Sequence, residues 1–118
     1  MSIDDISFFM LAHKQKSAVD YSLQSVRKYY KDNKIIVFEN GSNLLEQTCR
    51  THNAIYIHNP YNFHKPKKQG EYASFNTIDD YDFFVEQYKT SCLMCNTKWL
   101  LYLEPDVVII NKINNFPM

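Results

Sequence analysis

The amino-acid sequence predicts an α/β domain built on a mostly parallel, Rossmann-like sheet with flanking helices. Short apolar runs alternate along the chain with stretches whose apolar residues recur at helical spacing. The runs are unbroken, not alternating with polar residues, as expected of strands buried on both faces. Aromatic residues make up 15% of the 118, enough large side chains for a short chain to bury a sizeable core.

The elements follow in order. Ile6–Leu11 reads as a buried strand. Val19, Leu23, Val26 and Tyr30 then mark one face of a helix from about Ser17 to Tyr30. Asp32-Asn33 makes a turn into a β-branched strand, Ile35–Phe38. Glu39-Asn40-Gly41-Ser42 interrupts it. Asn43 with Glu46 three residues on resembles a capping box, and Leu45, Thr48, Cys49 and His52 mark a short second helix. Ala54–His58 is a third strand. The polar stretch from Asn59 to Ile78 is longer than ordinary connections, which marks it for function. Asp79-Asp80 opens a third helix with acids suited to its N-terminal dipole, and Phe84, Tyr88, Cys92 and Cys95 are its expected inward stripe. Trp99–Leu103 is a fourth strand ending in Glu104-Pro105-Asp106, followed by the apolar Val107–Ile110.

Composition removes several function classes. Thirteen Lys and Arg balance thirteen Asp and Glu, so the basic footprint of a nucleic-acid binder is missing. No apolar run approaches the length of a transmembrane segment, and the N-terminus lacks the features of a signal peptide. Three cysteines, an odd number, suggest free thiols in a reducing, cytoplasmic compartment. With only two glycines, neither Gly-rich phosphate loop can be written.

Right-handed crossovers bring every strand's carboxyl end to one sheet edge, where open α/β sheets bind ligands. That edge gathers His13 and Lys14, then Glu39 and Asn40, then Glu104 and Asp106. Acids at i and i+2 of an extended segment point to the same side, so Glu104 and Asp106 can face one hard cation, Mn²⁺ or Mg²⁺. The alternative is a solvated strand end. Glu39 can accept a base N–H; equally, Asn40-Gly41 is a turn, with Ser42 or Asn43 as a helix cap. His64, Lys65, Lys67 and Lys68 could fold over a diphosphate or lie on a solvated loop. Cys92 and Cys95 have C-x-x-C spacing without a second pair and read better as core thiols.

The segments ISFFMLAHK, IIVFENGSN and KWLLYLEPDVVI resemble the nucleotide-sugar-binding N-terminal half of GT-A-fold glycosyltransferases, the family-two-like group in particular. The resemblance covers about Ile6 to Ile113. It implies that residues 1–118 form a single nucleotide-sugar-binding domain, the N-terminal part of a longer, metal-dependent glycosyltransferase, with a UDP-sugar the favoured donor and the acceptor unspecified. By it, Glu39 contacts the donor base, and Ala12 and His13 line the base pocket. Glu104 and Asp106 stand at the D-x-D acids, Asp106 the first choice as metal ligand and Glu104 its partner on metal and donor. Glutamates replace the commoner aspartates at positions 39 and 104. Two alternatives stand beside this reading: a non-catalytic nucleotide-sugar-binding or interaction module, and a nucleotidyltransferase, against which the missing Gly-rich loop counts.

Overall fold

A computed structural model describes residues 4–60 and 78–113, the side chains of 78–81 excepted. It contains β1 (Ile6–Ala12), α1 (Lys16–Tyr29), β2 (Ile35–Asn40), α2 (Glu46–Thr51), β3 (Ile55–Asn59), α3 (Ile78–Met94) and β4 (Trp99–Leu103). The sheet order is β3-β2-β1-β4 and every pairing is parallel. The α/β architecture read from the apolar runs is therefore the architecture found. β2 continues through Glu39 and Asn40, which are the last rungs of its ladder with β3 and not an interruption.

Both faces of the sheet are covered, and this explains the unbroken apolar runs. All seven residues of β1 are buried. Ile6, Phe8, Met10 and Ala12 point to one face with Ile35 and Val37, where Val19, Leu23, Val26 and Tyr30 of the α1 region and Leu45 and Cys49 at α2 complete the core. Phe9, Leu11, Ile36 and Phe38 point to the other face, against Phe83 and Phe84 of α3 and the Met94-Cys95 end of that helix. Phe8 and Tyr30 meet edge to face at 5.2 Å, a favoured aromatic geometry.

α3 departs from the expected stripe. Its buried residues are polar, Gln87 and Ser91, while Val85, Tyr88 and Leu93 are exposed. Tyr88 still reaches the Phe9 ring at 5.5 Å, but Cys92 is exposed and is not a core thiol. Gln87 faces inward because Asn40 exchanges two hydrogen bonds with it, Asn40 Nδ2 donating to Gln87 Oε1 at 3.2 Å and Gln87 Nε2 donating to Asn40 Oδ1. A buried amide needs such partners, and this one finds them on the sheet.

Arg27 fastens the amino-terminal rim of the sheet. Its guanidinium donates to Tyr30 O and Asn33 O after α1, and to His52 O and Asn53 O after α2, at 2.7–2.9 Å. Tyr30 and His52 are the C-cap residues of the two helices and Asn33 and Asn53 lie in the loops beyond, and a planar fork of five donors suits this spread of carbonyls as a point charge does not. Beyond β4 the chain crosses back over α1. Ile109 N donates to Ser25 Oγ at 2.9 Å, Ile113 N to Tyr30 Oη at 2.7 Å, and Ile109 and Ile113 pack on the core. Among the described residues no helix is long and apolar enough to cross a membrane.

Two outcomes follow for stability. Arg27→Lys should lower unfolding free energy by about 2–3 kcal/mol in urea titrations, because several carbonyls lose a charged donor at once. Ser22→Ala should be neutral or stabilising by up to about 1 kcal/mol, since the buried Ser22 Oγ has no hydrogen-bond partner and alanine favours the helix.

Candidate functional site

The order of the strands locates the ligand edge. After β1 the chain moves outward through β2 and β3, then returns to the opposite side of β1 as β4. The order reverses between β1 and β4, the position outside the carboxyl ends of the strands at which open α/β sheets bind ligands. Leu103 stands level with Met10 and Glu39 level with Ala12, so the residues after β1, β2 and β4 emerge at one edge. β1 lies between β2 and β4, which places Glu39 two strand spacings, about 10 Å, from the strand bearing the second acidic group.

Glu104, Pro105 and Asp106 do not continue β4 as an extended segment. Val107 N donates to Glu104 O at 3.0 Å, closing a four-residue turn with Pro105 at its second position, where a fixed φ is favoured. The alternation argument therefore does not apply to this pair. Both acids are exposed on one turn at the switch point. Glu104 lies near enough to Tyr102 for its charge, after burial, to push that phenol up. Two carboxylates on one solvent-facing turn suit a Mg²⁺ or Mn²⁺ ion that takes its remaining ligands from water and phosphate oxygens. Among the described residues no group of three or more His, Cys, Asp or Glu side chains is placed to hold a metal ion. The donor set fits a cation shared with a ligand and not one caged by the protein.

Glu39 is buried and fully engaged. Oε1 accepts from Leu45 N at 3.0 Å and Tyr56 Oη at 2.7 Å; Oε2 accepts from Leu44 N at 2.8 Å and from Ser42 Oγ. Two carboxylate oxygens offer about four acceptor positions, and all four are filled. A base N–H reaching Glu39 would have to displace one of these donors, so the base contact expected of it is replaced here by an internal one. Nor does a capping box form: α2 starts at Leu45 without a side-chain cap, and Glu39 from the strand satisfies the amides that Asn43 was expected to serve. Burial opposes ionisation of Glu39, but the hydrogen bonds from Ser42, Leu44, Tyr56 and Leu45 outweigh it and hold the carboxyl below its ordinary range. Its neighbours respond in the opposite sense. Burial, the hydrogen bond to Glu39 and its charge push the Tyr56 phenol up, and burial with the charges of Glu39 and Glu46 pushes the Cys49 thiol to about 12.

The loop after β1 is tied to the same knot. His13 Nδ1 lies 2.7 Å from Asn40 O, and a carbonyl only accepts, so Nδ1 carries the proton. Lys14 N donates to Ser42 Oγ at 2.9 Å, and the Ser42 hydroxyl donates its own hydrogen bond to Glu39 Oε2. Lys14 and Gln15 are both left-handed, at φ 60° and 49°, a conformation sustained only where surrounding bonds hold it. Gly41, at φ 77°, supplies the turn on the other side, its N–H donating to Asn59 O at 2.8 Å. His13 stands half-buried at this edge, whereas the Ala12 side chain, expected to line a base pocket, is buried in the core. His64, Lys65, Lys67 and Lys68 lie outside the described residues. The amide cluster of Asn40, Asn59 and Gln87 was not singled out from sequence; Asn40 directly after Glu39 was its one visible signal. Compared with protein-family models and with curated proteins, the chain matches none.

The Glu39 knot has a pH signature. A depressed folded pKa contributes stability that is present above the unfolded value and lost as pH falls through the folded one. Glu39→Gln should therefore destabilise by roughly 2–4 kcal/mol at pH 7, with the gap to the parent narrowing as denaturation is followed below the ordinary glutamate pKa. An equal gap at neutral and acid pH would show that the charge is not what holds the turn.

Proposed function

We propose that this chain is the donor-binding part of a metal-dependent glycosyltransferase of the GT-A type, its residues 1–118 forming one domain of a longer cytoplasmic enzyme. The observation that carries the reading is the acidic turn, Glu104-Pro105-Asp106, at the point where the parallel strand order reverses. Ligands of open α/β sheets sit at that point, and exposed paired carboxylates there call for a positively charged bridge to an anionic ligand. The three resembling segments end on the residues that line this edge.

In this reading Asp106 and Glu104 hold a Mn²⁺ or Mg²⁺ ion together with the diphosphate of a nucleotide-sugar, a UDP-sugar in the first instance. The bound ion supplies Lewis-acid stabilisation of the charge that develops on the departing nucleoside diphosphate. His13 lies at the nucleoside end of this edge, its ring held in one tautomer by Asn40 O, while the Ala12 side chain is buried in the core behind it. Glu39 acts through its neighbours, fixing Ser42 and hence the backbone of Lys14, so that the loop meets the nucleotide already ordered. The glycine-free loop after β1 counts against a nucleotidyltransferase.

Calorimetry with UDP tests the assignment. Binding should require Mn²⁺ or Mg²⁺, vanish on chelation, and weaken at least about tenfold in Asp106→Ala while the thermal transition is retained, as expected when a ligand to the shared cation is removed. Binding indifferent to both chelator and Asp106→Ala would favour the non-catalytic module instead.

A further inference from the structure

We propose that Cys92 and Cys95 form a reversible dithiol–disulfide pair that exchanges with low-molecular-weight disulfides. They make up the one C-x-x-C of the chain, both thiols are free, and neither belongs to the acidic turn or to the Glu39 knot.

Backbone geometry brings the two within bridging range. Cys92 lies in the last turn of α3, which runs to Met94, and Cys95 is the next residue. Residues three apart at a helix end have Cα atoms about 5 Å apart, inside the span of roughly 4.4–6.8 Å that a disulfide needs. Their Cβ atoms are about 5–6 Å apart on a helix, more than the roughly 3.5–4.5 Å of a bridge. Closure therefore has to draw one residue inward. Cys92 is held by the helix, whereas Cys95 begins the non-helical link 95–98 to β4, so Cys95 is the one that moves.

Exposure divides the roles. Cys92 is exposed and can meet a dissolved disulfide; Cys95 is half-buried, packed with Met94, Phe83 and Phe84 on the sheet. Cys49 is fully buried in the core of the opposite face and takes no part.

The Cys92 thiolate attacks one sulfur of the small disulfide, breaking its S–S bond, forming a mixed disulfide and releasing one small thiol. The Cys95 thiolate then attacks the Cys92 sulfur, closes the Cys92–Cys95 bond and releases the second small thiol. The protein thiols give up two electrons, the small disulfide accepts them, and the two protons pass to the released thiols. A bridge closed against helical spacing is strained and readily reduced, which suits a reversible pair and not a structural staple. Its closure is felt where α3 sits on the sheet. Cys95 is drawn from its place on the core, and the Met94 carbonyl, which accepts from Lys34 Nζ at 2.6 Å, belongs to the peptide that has to turn.

Equilibration of the whole chain with glutathione and glutathione disulfide at graded ratios, followed by alkylation and mass spectrometry, tests the pair. The expected product is a chain lighter by two hydrogen atoms, with Cys92 and Cys95 both protected from alkylation in one peptide, and fully restored by excess glutathione. Cys95→Ser lacks the second thiol, so it should stop at the mixed disulfide and carry one glutathione on Cys92. Cys92→Ser should form no bridge and react more slowly, since its remaining thiol in this motif is half-buried. In ¹⁵N spectra, oxidation should shift the amides of Lys34, Met94 and Leu100 and leave that of Val107, in the acidic turn, unmoved. A parent chain that accumulates bound glutathione without closing the bridge would overturn the proposal, as would a bridge that excess glutathione fails to reopen. Equal reaction rates in the two serine variants would overturn it too, and an unshifted Met94 amide would overturn the coupling to α3.

Discussion

A buried carboxylate has to be satisfied from within, and the carboxyl edge of this sheet is arranged around that requirement. Glu39 sits at the end of β2, sealed from solvent, where ionisation is tolerable only if its oxygens find donors. They come from three directions: the amides leading into α2, the Tyr56 phenol of β3, and Ser42 in the turn between. Ser42 in turn accepts from Lys14, so the loop leaving β1 is fixed by the same charge. One anionic side chain thereby sets the shape of two loops and the start of a helix. Low local dielectric strengthens each of these bonds and makes the loss of any one more costly.

The edge has two halves built by different physics. On the β2 side, order comes from saturated hydrogen bonding below the surface. On the β4 side, the two acids stand in solvent on a turn whose backbone is closed by one hydrogen bond, and the chain after them is strapped to α1 through Ser25 and Tyr30. The first half is complete by itself; the second presents two carboxylates to solvent.

Much of the architecture was legible in the chain because burial on two faces leaves unbroken apolar runs, and Trp99–Leu103 and the Val19–Tyr30 stripe survive unchanged. What could not be read depends on partners distant in sequence. Glu39-Asn40-Gly41-Ser42 reads as a turn with a local cap, and nothing in it says that the strand's own glutamate does the capping. Acids two apart read as a pair on an extended strand until the Pro105 turn reorients them. α3 offers aromatic and apolar residues around much of its circumference, Phe83, Phe84, Val85, Tyr88 and Leu93, so periodicity alone cannot choose which side faces the sheet.

That last ambiguity is one the folded chain itself must resolve. α3 packs Phe83 and Phe84 on the sheet with a glutamine and a serine buried beside them, while Val85 and Leu93 stay exposed. The reciprocal amide pair between Gln87 and Asn40 acts as a key, because a competing rotation would leave the buried Asn40 Nδ2 without its acceptor, Asn59 serving only the Oδ1. Uniqueness of docking, more than tightness, is what this polar contact contributes, and it leaves a greasy outer surface on the helix as its by-product.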